Sequence, residues 1–223
     1  MDAVVFDLDG VLLESEQVWL AAKRELAASC GGAWKPDADR DMLGMSSTEW
    51  SAYMHEQLGV ELPPSEISRE VAALVGARYR RELPLIPGAQ AAVARVAERW
   101  PLALASSSNR ETIDLVLELG GWQGCFSVTV SSEEVARGKP APDVYLEAVR
   151  RLGAASELCV AVEDSDAGIR SALAAGLHVV AIPNRAFPPA RESLRRAQLV
   201  LRSIGELDRA AIHSAASASA STR

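Results

Sequence analysis

The stretch Ala3-Val4-Val5-Phe6-Asp7-Leu8-Asp9-Gly10-Val11 decides how the rest of the chain is read. Four apolar residues run without a break and then meet two aspartates two positions apart. A run that is apolar on both faces suits a strand buried inside a parallel sheet. Residues two apart on an extended chain face the same way. Asp7 and Asp9 therefore address one point at the strand's carboxyl end, where open α/β sheets bind ligands. Two neighbouring carboxylates repel unless a cation or a proton sits between them. Gly10 lets the chain turn sharply there. A lone D-x-D-G is equally a solvated acidic turn, so the decision rests on what recurs downstream.

Similar apolar runs follow at Leu102–Ala105, Val128–Val130, Cys159–Val162 and Val179–Ile182, with a short edge candidate at Leu199–Leu201. Most are followed by helical patterns. Strands alternating with helices predict an α/β fold, a doubly wound, Rossmann-like parallel sheet. One interval breaks the rhythm. The chain from Asp7 to Pro101 is too long for a single crossover. Within it, Trp19, Ala22 and Leu26 share a helical face, as do Trp50, Tyr53, Met54 and Leu58, and Ile67, Val71, Leu74 and Val75. Residues 14–83 are expected to be an inserted helical cap. The Leu83-Pro84-Leu85-Ile86-Pro87-Gly88 stretch is expected to return the chain to the core, its prolines ending the preceding helix. The core is then 1–13 plus 84–213. The alanine- and serine-rich tail, 214–223, is expected to be disordered.

Bulk properties narrow the function classes. The 223 residues are 48% hydrophobic and 24% charged, ordinary for a globular chain. A net charge of -7 argues against nucleic acid or an anionic membrane as partner. Cys30, Cys125 and Cys159 are odd in number and lack metal-binding spacing, so free thiols in a reducing compartment are expected. No secretory pattern follows Met1, and no apolar run approaches the roughly 18 residues a membrane span needs. A cytoplasmic protein is expected. His55, His178 and His213 fit no metal or triad pattern.

Three further segments carry chemistry. Ser106-Ser107-Ser108 sets hydroxyls at the end of the second strand, where hydroxyls and backbone N–H groups bind phosphate oxygens; a helix cap reads the same way. Gly138-Lys139-Pro140 holds one lysine between two backbone-restricting residues. Glu163-Asp164-Ser165-Asp166 brings more carboxylates to the end of the fourth strand. Taken singly, each is a surface feature. Taken together they form an ordered set of acid pair, hydroxyl, lysine and acid pair at one sheet edge. Carboxylates suit a hard cation such as magnesium, and lysine, hydroxyls and magnesium suit a phosphoryl group.

In these four motifs, over residues 2 to 207, the chain resembles the haloacid dehalogenase superfamily of aspartate-nucleophile phosphatases and phosphomutases, in the subfamily with a helical cap after the first strand. The resemblance implies roles. Asp7 would be the nucleophile and carry the phosphoryl group as an aspartyl phosphate. Asp9 would protonate the leaving alkoxide and then deprotonate water. Asp7, the carbonyl of Asp9, and Asp164 would hold Mg2+, with Glu163 beside it or one layer out. Ser106 and Lys139 would hold phosphoryl oxygens, helped by Ser107, Ser108 and Asn109. An acid at position 9 favours phosphate esters over carbon–halogen bonds.

The Leu43-Gly44-Met45-Ser46-Ser47 segment resembles the substrate loop of such caps. β-Phosphoglucomutases carry basic residues in that loop and a histidine at the position of Trp19. Here Leu43, Ser47 and Trp19 replace them, which weakens a mutase reading. Glu14-Ser15-Glu16-Gln17-Val18-Trp19 is closer to sugar and polyol phosphatases. The expected cap contacts are Trp19, Gly44, Met45, Ser46 and Ser47, with Trp50 as cap core. The expected partner is a small phosphorylated metabolite, for a monomer or weak homo-oligomer. The rivals are a phosphomutase and a non-catalytic binding module on the same fold.

Overall fold

The computed structural model describes residues 1–42, 45–184 and 187–218. Six strands form one sheet: β1 Ala3–Phe6, β2 Leu102–Ser106, β3 Val128–Ser131, β4 Cys159–Glu163, β5 His178–Ala181 and β6 Leu199–Val200. Their order is β3-β2-β1-β4-β5-β6, and every neighbouring pair is parallel. Each apolar run read from the sequence is a strand, and Leu199–Val200 is the short edge.

The helices are α1 Glu16–Ser29, α2 Ala38–Asp41, α3 Ser47–Glu56, α4 Pro64–Arg81, α5 Ala89–Ala97, α6 Arg110–Leu119, α7 Asp143–Leu152, α8 Asp166–Ala174, α9 Arg191–Arg196 and α10 Arg209–Ser217. Strand residues alternate between two buried clusters, as the two-residue pleat requires. Val4, Phe6, Leu102, Leu104, Val160 and Val162 face one side. Ala3, Val5, Ala103, Ala105 and Ala161 face the other, with α7 and α8. The alanines on that second face let α7 pack directly on β2 and β3.

Helices α1 to α4 occupy the interval between β1 and β2. Trp50, Met54, Ile67, Val71 and Val75 are buried, as their 3.6-residue spacing predicts. Pro64 opens α4 at a position where no N–H partner is needed. Helix α4 packs on α1 and α3 and also on α6 of the sheet layer. The buried cluster of the inserted helices is therefore continuous with one face of the sheet. The outgoing and returning chains are tied together. The Glu14 N–H donates to the Pro84 carbonyl at 2.8 Å, and the Ile86 N–H to the Leu12 carbonyl at 3.0 Å.

The expectation of a disordered tail from Ser214 is corrected for its first residues. Helix α10 continues through Ser217 and buries Ala211, Ile212 and Ala215 against β4, β5 and β6. Asp208 caps it by accepting from the Ala211 N–H at 2.8 Å. Low complexity misled because alanine is both the best helix former and small enough to pack on a sheet. Among the described residues, no helix is long and apolar enough to cross a membrane.

Candidate active site

Strand β1 lies between β2 and β4, where the sheet's connections reverse direction and a crevice opens at the carboxyl ends. Asp7 sits at that point, 6% exposed, with its N–H donating to the Val162 carbonyl at 3.0 Å. The Lys139 ammonium donates to Asp7 Oδ1 at 2.7 Å and to Glu163 Oε1 at 2.6 Å. The Tyr145 hydroxyl donates to the same Glu163 oxygen at 2.7 Å, and its ring centre is 5.0 Å from the ammonium. Glu163 Oε2 accepts from the Asp164 N–H and the Ser165 hydroxyl, both at 3.1 Å. Both oxygens of this fully buried carboxylate are engaged. Glu163 thus fixes Lys139, and Lys139 fixes Asp7.

Asp9 is held on one side only. Its Oδ2 accepts from the Ser108 hydroxyl at 2.7 Å, while its Oδ1 is buried with no hydrogen-bond partner among the described residues. Gly10 has φ 83°, and a Cβ there would lie 1.9 Å from Asp164 Oδ2. The turn and the approach of Asp164 both exclude a side chain. Asn184 donates to Asp164 Oδ2 at 3.4 Å. Ser106 is fully buried, and its hydroxyl accepts from the Ser108 N–H at 3.0 Å. Asn109 caps α6 through the Thr112 N–H. A cavity of about 890 Å³ is lined by Asp7, Asp9, Ser107, Lys139 and Asp164, and extends past Glu16 and Asn184.

Burial, reinforced by Glu163 and Asp9, pushes the Asp7 carboxyl up to about 7 against the lowering field of Lys139. Burial and the charges of Glu163 and Asp7 raise Asp164 as well. Lys139 is raised by Asp7 and Glu163, which outweigh its burial. Carboxylate oxygens of Asp7, Glu163 and Asp164 lie within 4.8 Å of one another. Among the described residues, these three buried acids meet a single ammonium, so the cluster is short of positive charge. All-oxygen donors in that arrangement fit a hard divalent cation. Asp7 and Asp164 are the better-placed donors, because Glu163 is already occupied.

The sequence-derived cap residues are less tightly gathered. Ser46 caps α3 in a reciprocal box with Glu49 and stands over the lysine loop, where a Cβ on Gly138 would be 3.5 Å from its own. Ser47 is buried and Met45 packs on the core cluster. Gly44 and Leu43 lie outside the described residues. Trp19 is half-buried, its ring 6.1 Å from that of buried Trp50. None of Trp19, Met45, Ser46 or Ser47 lines the cavity with Asp7. His55 meets the Val60 carbonyl, His178 the Glu157 carbonyl, and His213 the Trp100 ring, all away from the site.

Sequence reasoning missed Tyr145, Asn184 and Gly168. Gly168 opens α8 against Glu163, and a Cβ there would lie 1.9 Å from the carboxylate. Only the position of Tyr145 in the first turn after the lysine loop hinted at its role.

The chain is similar to a known family and to several known proteins. The model for "haloacid dehalogenase-like hydrolase" matches residues 1–176. Protein CbbY of Rhodobacter capsulatus is 35% identical over 82% of this chain and 86% of its own. Phosphorylated carbohydrates phosphatase of Thermotoga maritima is 32% identical over 79% of this chain and 82% of its own. A bifunctional riboflavin kinase/FMN phosphatase of Arabidopsis thaliana is 32% identical, and the chain spans 48% of its length. The crystal structure of CbbY from Rhodobacter sphaeroides with phosphate superposes at a TM-score of 0.85, with 28% identity over 96% of this chain and 99% of that one. The chain belongs to the haloacid dehalogenase-like hydrolases and is an enzyme of that family's phosphatase kind, a phosphoric monoester hydrolase.

Proposed function

We propose that the protein hydrolyses the phosphate monoester of a small phosphorylated sugar or polyol, using Asp7 as nucleophile and Mg2+ as cofactor. The observation that carries this reading is the Asp7 carboxylate clamped by Lys139 at 2.7 Å and flanked by Glu163 and Asp164, with Asp9 two residues on. The relatedness to a phosphorylated carbohydrates phosphatase supports the substrate class.

In the first step an Asp7 oxygen attacks phosphorus and the ester P–O bond breaks. Asp9 gives its proton to the departing alkoxide. An aspartyl phosphate on Asp7 results. In the second step Asp9, now a carboxylate, takes a proton from water as that water attacks phosphorus. The bond to Asp7 breaks and the enzyme is restored. The Ser108 hydroxyl holds one Asp9 oxygen, and the other, which has no hydrogen-bond partner among the described residues, would serve both transfers. Lys139 orients Asp7 and offsets charge on the transferring group. Bound Mg2+, held by Asp7 and Asp164 with Glu163 close by, would supply further charge neutralisation. Helices α1 to α4, 14–83 with their linkers, would act as the lid and carry specificity.

The test is phosphate release from a panel of sugar, polyol and nucleotide monophosphates, with magnesium and with chelator. Magnesium-dependent release that disappears in folded Asp7→Asn protein is expected. Substantial turnover by that variant would falsify the nucleophile assignment.

A further inference from the structure

Asp164 and Glu163 are neighbours in the chain and are held in different ways. Glu163 takes the Lys139 ammonium, the Tyr145 and Ser165 hydroxyls and the Asp164 N–H. Asp164 is 5% exposed, and among the described residues its carboxylate accepts one hydrogen bond, from Asn184 Nδ2 to Oδ2 at 3.4 Å. The sheet brings Asn184 there. Glu163 is level with Ala181 in the β4–β5 register, and the ladder runs on past both strand ends. The Ile182 N–H donates to the Glu163 carbonyl at 2.7 Å, and the Asn184 N–H to the Asp164 carbonyl at 3.4 Å. Asn184 also lines the cavity with Asp7 and Asp164.

The amide is itself oriented. The Phe187 N–H donates to Asn184 Oδ1 at 3.2 Å. A backbone N–H can only donate, so the amide oxygen faces Phe187 and the amide nitrogen is left to face Asp164. The far end of the same loop is anchored too, because the Ser193 hydroxyl on α9 donates to Asp166 Oδ1 at 2.5 Å. Asp164 Oδ2 also lies against Gly10, where a Cβ would be 1.9 Å away. Oδ2 is therefore set against Gly10 and Asn184, while no hydrogen bond reaches Oδ1 among the described residues.

The chemistry of the donor decides what this contact does. An amide is neutral, so it fixes the carboxylate without cancelling its charge. The ammonium on Glu163 does offset charge, which leaves Asp164 as the acid with charge to offer a cation. Partners one layer behind metal ligands fix the orientation of those ligands, and their loss costs about 10- to 100-fold in metal affinity. The cost depends on the ion. Mg2+ demands near-ideal octahedral oxygens, whereas Ca2+ accepts flexible geometry.

We propose that Asn184 is a positioning residue for the cation site: its amide holds Asp164 by one carboxylate oxygen and leaves the other to the metal. This rests on the magnesium reading above. The test is calorimetric titration of chelator-stripped protein with Mg2+ and with Ca2+, for the wild type, Asn184→Leu and Asn184→Ala. Asn184→Leu keeps the side-chain volume and removes the donor. Mg2+ is expected to bind the variants about 10- to 100-fold more weakly, and Ca2+ under about 5-fold more weakly. The magnesium concentration for half-maximal phosphate release should rise in step with the Mg2+ loss. Unchanged Mg2+ affinity would overturn the role even if Tm in chelator fell, because Asn184 would then serve only the fold of its loop. Equal losses for the two ions would also overturn it, since orientation weighs on Mg2+ more than on Ca2+. If Asn184→Leu does not fold, Asn184→Ala decides by the same comparison. No Mg2+ binding by the wild type would overturn the magnesium reading and this role together.

Discussion

Replacing Gly168 by alanine separates helix propensity from the geometry of the site. Gly168 is the third residue of α8, and its φ is not in the left-handed region. By propensity alone, alanine there should stabilise by about 0.5–1 kcal/mol. The structure reverses the sign. A Cβ at Gly168 would lie 1.9 Å from Glu163 Cδ and Oε1 and 2.0 Å from Oε2. The carboxylate has no free direction to move in, because Lys139, Tyr145, the Asp164 N–H and the Ser165 hydroxyl hold it. Displacing it weakens hydrogen bonds to charged groups that are each worth about 1.5–3 kcal/mol. After the propensity gain, the net loss is about 2–4 kcal/mol. A chain of this size loses about 2–4 °C of Tm per kcal/mol, so a fall of roughly 5–15 °C is expected. Lys139 should move with Glu163, so kcat should fall too. The assay is thermal unfolding by circular dichroism, paired with phosphate release. A variant at least as stable as the wild type, with unchanged turnover, would refute the argument that packing around Glu163 positions Lys139.

Three further perturbations test the same cluster. Lys139→Ala leaves Asp7 and Glu163 buried without their cation. It should cost about 3–5 kcal/mol in urea unfolding and remove most turnover. Tyr145→Phe deletes one donor to Glu163 at nearly constant volume; a loss of about 1.5–3 kcal/mol is expected, with a smaller fall in kcat than for Lys139→Ala. The third is pH. Asp7 is raised to about 7 from an unfolded value of about 4, so the folded state holds its proton more tightly. The stability this gives is complete below about pH 4 and is lost as pH rises through about 7. In chelator, Tm of the wild type should fall over that window more steeply than Tm of Asp7→Asn. Magnesium added above pH 7 should restore stability, because it binds the ionised carboxylates.

The strands and the principal site residues were legible in the linear chain for physical reasons. A strand covered on both sides must be apolar throughout, so β1, β2, β4 and β5 announce themselves. Asp7, Asp9, Lys139 and Asp164 stood out because such groups at the carboxyl ends of buried strands need a ligand or a cation to justify their place. What those groups touch depended on strand order. Lys139 reaches Asp7 across 132 residues and Glu163 across 24 because β4 lies beside β1 in the sheet. Ser108 meets Asp9 across 99 residues for the same reason, with β2 on the other flank. Neither neighbour follows from sequence spacing. Tyr145 and Gly168 acquire meaning only when distant elements fix their surroundings. The α10 helix marks the opposite limit, since its alanines looked featureless until a sheet face was there to receive them. Residue chemistry determined which groups act at the site, and tertiary packing decided which of them are held, shared or left open, because burial and distance set the energy of a charge.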